Sequence, residues 1–236
     1  MNRYLFVVLL AVAANAQDAA ATIKTAEYAL GMIRGPQRID AINTLEYWGT
    51  GTVAYHVSIS YAVPAMRVDT TRAGQRQIQV VSGEYAWNES VPGAGFIPGS
   101  IATPSPDALK DRLLELWTTP FGALKMAERA AAKAKVTRDS GVTVITFPLM
   151  GATVKATLNA KNQLERVETP LTEIVYSDYK DLGEITSDVL FPTHIVKKQH
   201  GATVLDLTIT KVDANNPYVV FPVPEAIGKA APNSRR

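Results

Sequence analysis

"VAYHVSISY", residues 53–61, sets Val53, Tyr55, Val57, Ile59 and Tyr61 against Ala54, His56, Ser58 and Ser60. A two-residue period of this kind belongs to a β-strand with one face buried and the other wet. Downstream, "AMRVDTTRAGQRQIQVVSGEYAWNE" reads as further strands broken at Ala73-Gly74 and Ser82-Gly83, dipeptides that suit hairpin turns with positive φ. The first half of the chain is therefore an antiparallel meander. After a mid-chain interruption the pattern returns in "VTVITFPLM", "GATVKATLNA", "NQLERVETP", "TEIVYSDYK", "FPTHIVKKQ" and "TVLDLTITKV". Met150-Gly151, Lys161-Asn162 and His200-Gly201 are the turn-competent joints between them.

Helical periodicity occupies two places. Ile23, Ala26, Leu30 and Ile33 share one face of a leading helix that stops at Gly35-Pro36, and "PQRIDAINTL" reads as a short second turn. In mid-chain, Ser105-Pro106-Asp107 carries N-terminal helix signals, succeeded by Leu109, Leu113, Leu116 and Trp117 on one face. Pro120 interrupts, and "FGALKMAERAAAKAK" resumes with Phe121 and Leu124. Between Val91 and Pro106, "VPGAGFIPGSIATPSP" is too irregular for an element and too apolar for a tether, and it reads as a flap or lid loop. The order helix, sheet, helix pair, sheet predicts an α+β fold: a curved antiparallel sheet, an unclosed half-barrel, with helices covering the concave face and a cavity beneath them.

The N-terminus adds a compartment. Asn2 and Arg3 precede an apolar run from Tyr4 to Ala14, and Ala14-Asn15-Ala16 has the small-x-small form of a cleavage site, so residues 1–16 read as a signal peptide. The run is shorter than the roughly 20 apolar residues a bilayer requires, so no stable membrane insertion is expected. These signals imply a periplasmic or secreted protein, with residues 17–236 as one domain. It has no cysteine, so an exported chain must draw its stability from core burial alone. The formal net charge is +2, and the loss of Arg3 lowers it further, too little for a phosphate-neutralising surface, so no nucleic-acid partner is expected.

Catalytic patterns are missing from the sequence. There is no G-x-S-x-G elbow and no phosphate-cradling glycine loop. His56, His194 and His200 do not have metal-ligand spacing, and "GTG" at 49–51 reads as a bend at a strand end. "YSDYKDLG", residues 176–183, concentrates tyrosines and aspartates, but alternation places Tyr176 and Asp178 on one face and Ser177 and Tyr179 on the other, so it reads as a strand end and turn. Neither enzyme chemistry, a cofactor nor a metal is expected.

Together, "ALGMIRGPQRIDAINTLEYWGTG", "GEYAWNE", "LWTTPFGALKMA", "NQLERVET", "YSDYKDLG" with "FPTHIV", and "LDLTITKVDANNP" resemble, in that order, an N-terminal domain of exported bacterial proteins that continue into a metallo-β-lactamase-fold domain. Such domains are similar to the lipoprotein-carrier superfamily (LolA/LolB-like). The resemblance implies a half-barrel that holds acyl chains in its concave face; the H-x-H-x-D-H metal segment of the hydrolase domain does not occur in this sequence.

The sequence supports two functional expectations. The first is a non-catalytic periplasmic binding protein for a lipid or other apolar small molecule, its cavity lined by Trp48, Tyr55, Val57, Trp87, Leu113, Trp117, Phe121, Phe147 and Leu149. The alternative is an accessory module that docks with a separately encoded envelope protein or metallo-hydrolase through its outer face or the loop at 91–106.

Overall fold

The computed structural model describes residues 17–34, 39–183 and 188–230. The expected signal peptide, the helix stop at Gly35-Pro36 and the last six residues lie outside them. Helix α1 (17–29) is followed by two short paired strands, β1 (Ile33–Arg34) and β2 (Ile39–Asp40). A first meander comprises β3 (Thr44–Gly51), β4 (Ala54–Ser60), β5 (Ala65–Arg72), β6 (Gln75–Ser82), β7 (Tyr85–Glu89) and β8 (Ala102–Pro104). Helices α2 (Leu109–Trp117) and α3 (Pro120–Arg129) come next. A second meander comprises β9 (Lys135–Asp139), β10 (Val142–Leu149), β11 (Ala152–Leu158), β12 (Leu164–Glu168), β13 (Thr172–Asp181), β14 (Leu190–Gln199) and β15 (Ala202–Ala214). A short α4 (Glu225–Ala230) ends the described chain.

These strands form one 13-stranded antiparallel sheet in the order β8-β7-β6-β5-β4-β3-β15-β14-β13-β12-β11-β10-β9. Each meander is built of neighbours in sequence, and one pairing, β3 with β15, joins the two. The sheet is a curved, unclosed half-barrel with β8 and β9 at its edges. At the β3–β15 seam, Gly49 and Gly51 let the strands come close: a Cβ on Gly51 would stand 2.1 Å from the carbonyl oxygen of Asp206. The "GTG" expected to be a bend is thus the contact that closes the seam.

The concave face carries the main core. Tyr47, Tyr55, Val57, Ile59, Phe147, Val154, Ile174 and Phe191 face Ala19, Ile23 and Ala26 of α1, Leu116 and Trp117 of α2, and Phe121 and Leu124 of α3. Apolar burial on this scale, at about 25 cal/mol per Å2, is the main favourable term that holds helices to sheet. Hydrogen bonds fix the cover: buried Arg112 of α2 donates from Nη1 to the carbonyls of Val80 (2.9 Å) and Trp87, and from Nη2 to Asn88 Oδ1 (2.6 Å). Tyr176 Oη donates to the Thr118 carbonyl between α2 and α3. On the convex face a smaller cluster forms, in which Phe221, Val223 and Ile227 of the C-terminal segment cover Ile78, Val80 and Trp87.

Turn chemistry sets the hairpins. Ala73 and Gly74 have φ of 48° and 80°, the mirror-image turn that matches strand twist, and the same geometry recurs at residues 140–141, 150–151 and 200–201.

Several expectations are corrected. α1 ends at residue 29 and Ile33 lies in a strand; residues 39–40 pair with 33–34 instead of forming a helical turn. The helix through "AAAKAK" stops at Arg129, and Lys135–Asp139 is an edge strand, because Val136 and Thr137 pair with Ile145 and Val144 of β10. The loop after Val91 contains β8 and leans on the C-terminal segment, with Gly95 against Pro224. Asp178 has a φ of 56°, which breaks the alternation, so Tyr179 packs against the main core as Tyr176 does.

Candidate functional site

Followed outward from the core, the concave face changes character on three strands at once. β5 runs from buried Val68 through half-buried Thr70 to exposed Arg72, and β6 from buried Val81 through Gln79 to exposed Gln77. β14 runs from buried Ile195 through Lys197 to exposed Gln199; beside it β15 runs from buried Leu207 to half-buried Leu205, where a bulge ends its alternation. The period of two keeps these side chains on one face. An open groove of about 830 Å3 lies there, with Val53, Tyr55, Val68, Val204 and Leu205 as its apolar wall and Arg72, Gln77, Gln79 and Gln199 as its polar wall.

The inner end of the groove is barred by an ion pair. Lys197 Nζ of β14 lies 3.1 Å from Glu115 Oε1 of α2. Behind it is a cavity of about 30 Å3 lined by Tyr47, Tyr55, Thr119, Ile174, Tyr176 and Ile195. That volume holds a water or two and no acyl chain. Burial pushes the phenols of Tyr47, Tyr55 and Tyr176 well above the usual tyrosine value, and the carboxylate of Glu115 adds to the shift. All three are neutral hydroxyls at any physiological pH.

The expected lining residues divide by face. Tyr55, Val57, Trp117, Phe121, Phe147 and Leu149 are buried in the concave core, and half-buried Leu113 packs against it. Of these, Tyr55 alone borders the groove; the others fill the space where the cavity was expected. Trp48 and Trp87 do not belong to the concave face. Trp48 alternates with Leu45 and Tyr47, so it points to the convex side, where it stacks on His56 with centroids 4.5 Å apart and takes Lys211 Nζ at 5.1 Å from its ring. Trp87 lies opposite Val80 on the convex side, and its Nε1 donates to Glu89 Oε1 (3.0 Å). Sequence reasoning misses Arg72, Gln77, Gln79, Lys197 and Gln199. Their signal is the switch from apolar to glutamine or cation along a constant strand parity.

The histidines do not assemble chemistry. His56 Nε2 and Ser58 Oγ both bond Glu46 Oε1, at 3.1 and 2.7 Å, so the imidazole is engaged with the carboxylate and not with the serine. His194 Nε2 pairs with Asp206 Oδ1 at 2.8 Å on the exposed surface. Among the described residues no three histidines or carboxylates come together as metal ligands. Among them, too, no helix is long and apolar enough to cross a membrane.

The class defined by this geometry is a half-barrel with a ligand-sized groove at one end of its concave face. Compared with known families and with curated proteins, the sequence matches no family model and no curated protein.

Proposed function

We propose that this protein is a non-catalytic binding protein for a ligand with an apolar tail, held along the concave face and reached through the groove. The supporting observation is the groove itself: its volume of about 830 Å3 is within the range of small-molecule sites, and its apolar wall continues directly into the core. The tail would lie against Val68, Val204 and Leu205, and a longer tail would press on the Glu115–Lys197 pair. The resemblance to lipoprotein carriers favours the same ligand class, and the signal-peptide reading of residues 1–16 favours the periplasm or exterior as its place of work. The test is native mass spectrometry of protein purified without detergent, beside a Leu205→Arg variant. A co-purifying lipid-sized mass that the variant lacks is the expected result. A bare protein mass, with no uptake of added fatty acid or phospholipid, overturns the proposal.

One observation favours a second reading, a docking module for an envelope protein. Phe96 and Ile97 are about half exposed and Ile101 nearly two-thirds on the loop after β7, outside the groove lining. A pull-down that recovers one stoichiometric partner from wild type and loses it with Phe96→Ser and Ile97→Ser would select this reading.

A further inference from the structure

Resting on the proposed ligand site, the charges around the groove carry a more specific statement. Four charged residues line it: Arg72, Arg76, Glu115 and Lys197. Glu115 is matched by Lys197 across 3.1 Å. Arg76 is turned to the convex side, where its Nε and Nη2 donate to Asp69. That leaves Arg72, at the end of β5 on the concave parity, whose guanidinium makes no ion pair or side-chain hydrogen bond among the described residues. Across the β5–β6 pairing, Gln77 lies opposite Thr70 and Gln79 opposite Val68. Among the described residues the amides of Gln77 and Gln79 have no side-chain partner either. The outer end of the groove thus presents one unmatched cation and the amides of Gln77 and Gln79, with Gln75 and Gln199 on the same rim, above an apolar wall.

We propose that the ligand is an anionic amphiphile whose carboxylate or phosphate head is held by Arg72, with Gln77 and Gln79 donating to its remaining oxygens. A planar guanidinium offers two parallel N–H donors to either oxyanion. A neutral head would forgo the charge-assisted contact that Arg72 offers at the rim. The polarity change along β5, β6 and β14 orients the molecule, head outward and tail toward Val68.

The test compares three single-chain ligands of equal length below their aggregation thresholds: a fatty acid, a lysophosphatidic acid and a fatty alcohol, titrated into the protein by calorimetry. The expected result is tighter binding of one or both anions than of the alcohol, by about tenfold, the size of one charge-assisted contact. Whichever anion binds more tightly names the head. Arg72→Gln is expected to bring anionic and neutral affinities together, and Arg72→Lys to restore part of the difference. Arg72 is exposed at a hairpin, so the fold is not at stake. Equal affinities for all three ligands in wild type, or an anion preference unchanged in Arg72→Gln, overturn the anionic head and leave the binding function standing. Binding of none of them overturns both.

Discussion

Lys197 of β14 and Glu115 of α2 meet at 3.1 Å on the line where the groove stops and the packed core begins. Both side chains are about a quarter exposed, so the pair is partly screened by water. Replacing Lys197 with Met is expected to cost no more than about 1 kcal/mol in urea unfolding, and 1 M salt to reduce the difference between variant and wild type. A loss several times larger would mean that the pair holds α2 to the sheet and is more than a bar across the groove.

Arg112 is the stronger attachment of α2. It is buried, and its donors reach the carbonyls of Val80 and Trp87 and the amide of Asn88. Arg112→Leu leaves those acceptors unsatisfied and is expected to lower unfolding stability by about 2–4 kcal/mol. Arg112→Lys keeps the charge without the fork and should recover only part. Chemical denaturation of the three proteins provides the comparison.

The buried tyrosines give an alkaline signature. Tyr47, Tyr55, Tyr176 and Tyr179 all have their pKa raised, first by desolvation. A raised folded value means that their contribution to stability is whole below the unfolded value near 10 and is lost as pH climbs toward the folded value. Absorbance titration at 295 nm should therefore show these phenols ionising only as the protein unfolds, in step with loss of the far-UV circular dichroism signal. Reversible titration of every tyrosine in the folded protein would contradict their burial.

An acid signature belongs to α1. Arg138 of the edge strand β9 donates to both carboxylate oxygens of Asp18 (2.9 and 3.0 Å) and to Thr22. These bonds hold the Asp18 pKa below its ordinary 3.8. The contribution is complete above 3.8 and fades as pH falls through the depressed value. Hydrogen exchange in residues 17–29 is expected to quicken selectively there, and Asp18→Asn to show faster exchange already at neutral pH.

Gly51 tests the seam. An alanine Cβ at this position would meet the Asp206 backbone at 2.1 Å, and the φ of 152° is one that side chains rarely adopt. Gly51→Ala is expected to cost more than about 2 kcal/mol, whereas Gly74→Ala, with nothing within 4 Å, bears only the backbone strain, about 1 kcal/mol. Thermal melts of both variants rank them.

The sheet is legible in the sequence because its signals are local: alternation from Val53 to Tyr61 and the dipeptides at 73–74, 150–151 and 200–201 fix strands and turns without knowledge of partners. β9 is not, since "KVTRD" is short, mostly exposed and follows the helix-prone "AAAKAK", and only pairing with β10 makes a strand of residues 135–139. For Trp48 and Trp87, size suggests cavity lining, whereas strand parity, counted from Leu45 and Val80, places both on the convex side. The groove escapes a linear reading because glutamines at a strand end look like ordinary surface. Only the lateral alignment of β5, β6 and β14 turns three separate polarity changes into one rim.

The seam between β3 and β15 brings Leu45 beside Ala214, and it alone among the pairings of the large sheet spans most of the chain. A circular permutant that begins near Lys135 and ends near Arg129, with the original ends linked, would place β15 ahead of β3, with α4, α1 and the β1–β2 pair between them. Every strand of the large sheet would then pair with the next strand of that sheet in sequence, from β9 through to β8. Relative contact order would drop with the native sheet unchanged, and such a permutant would refold faster than the natural order at equal stability.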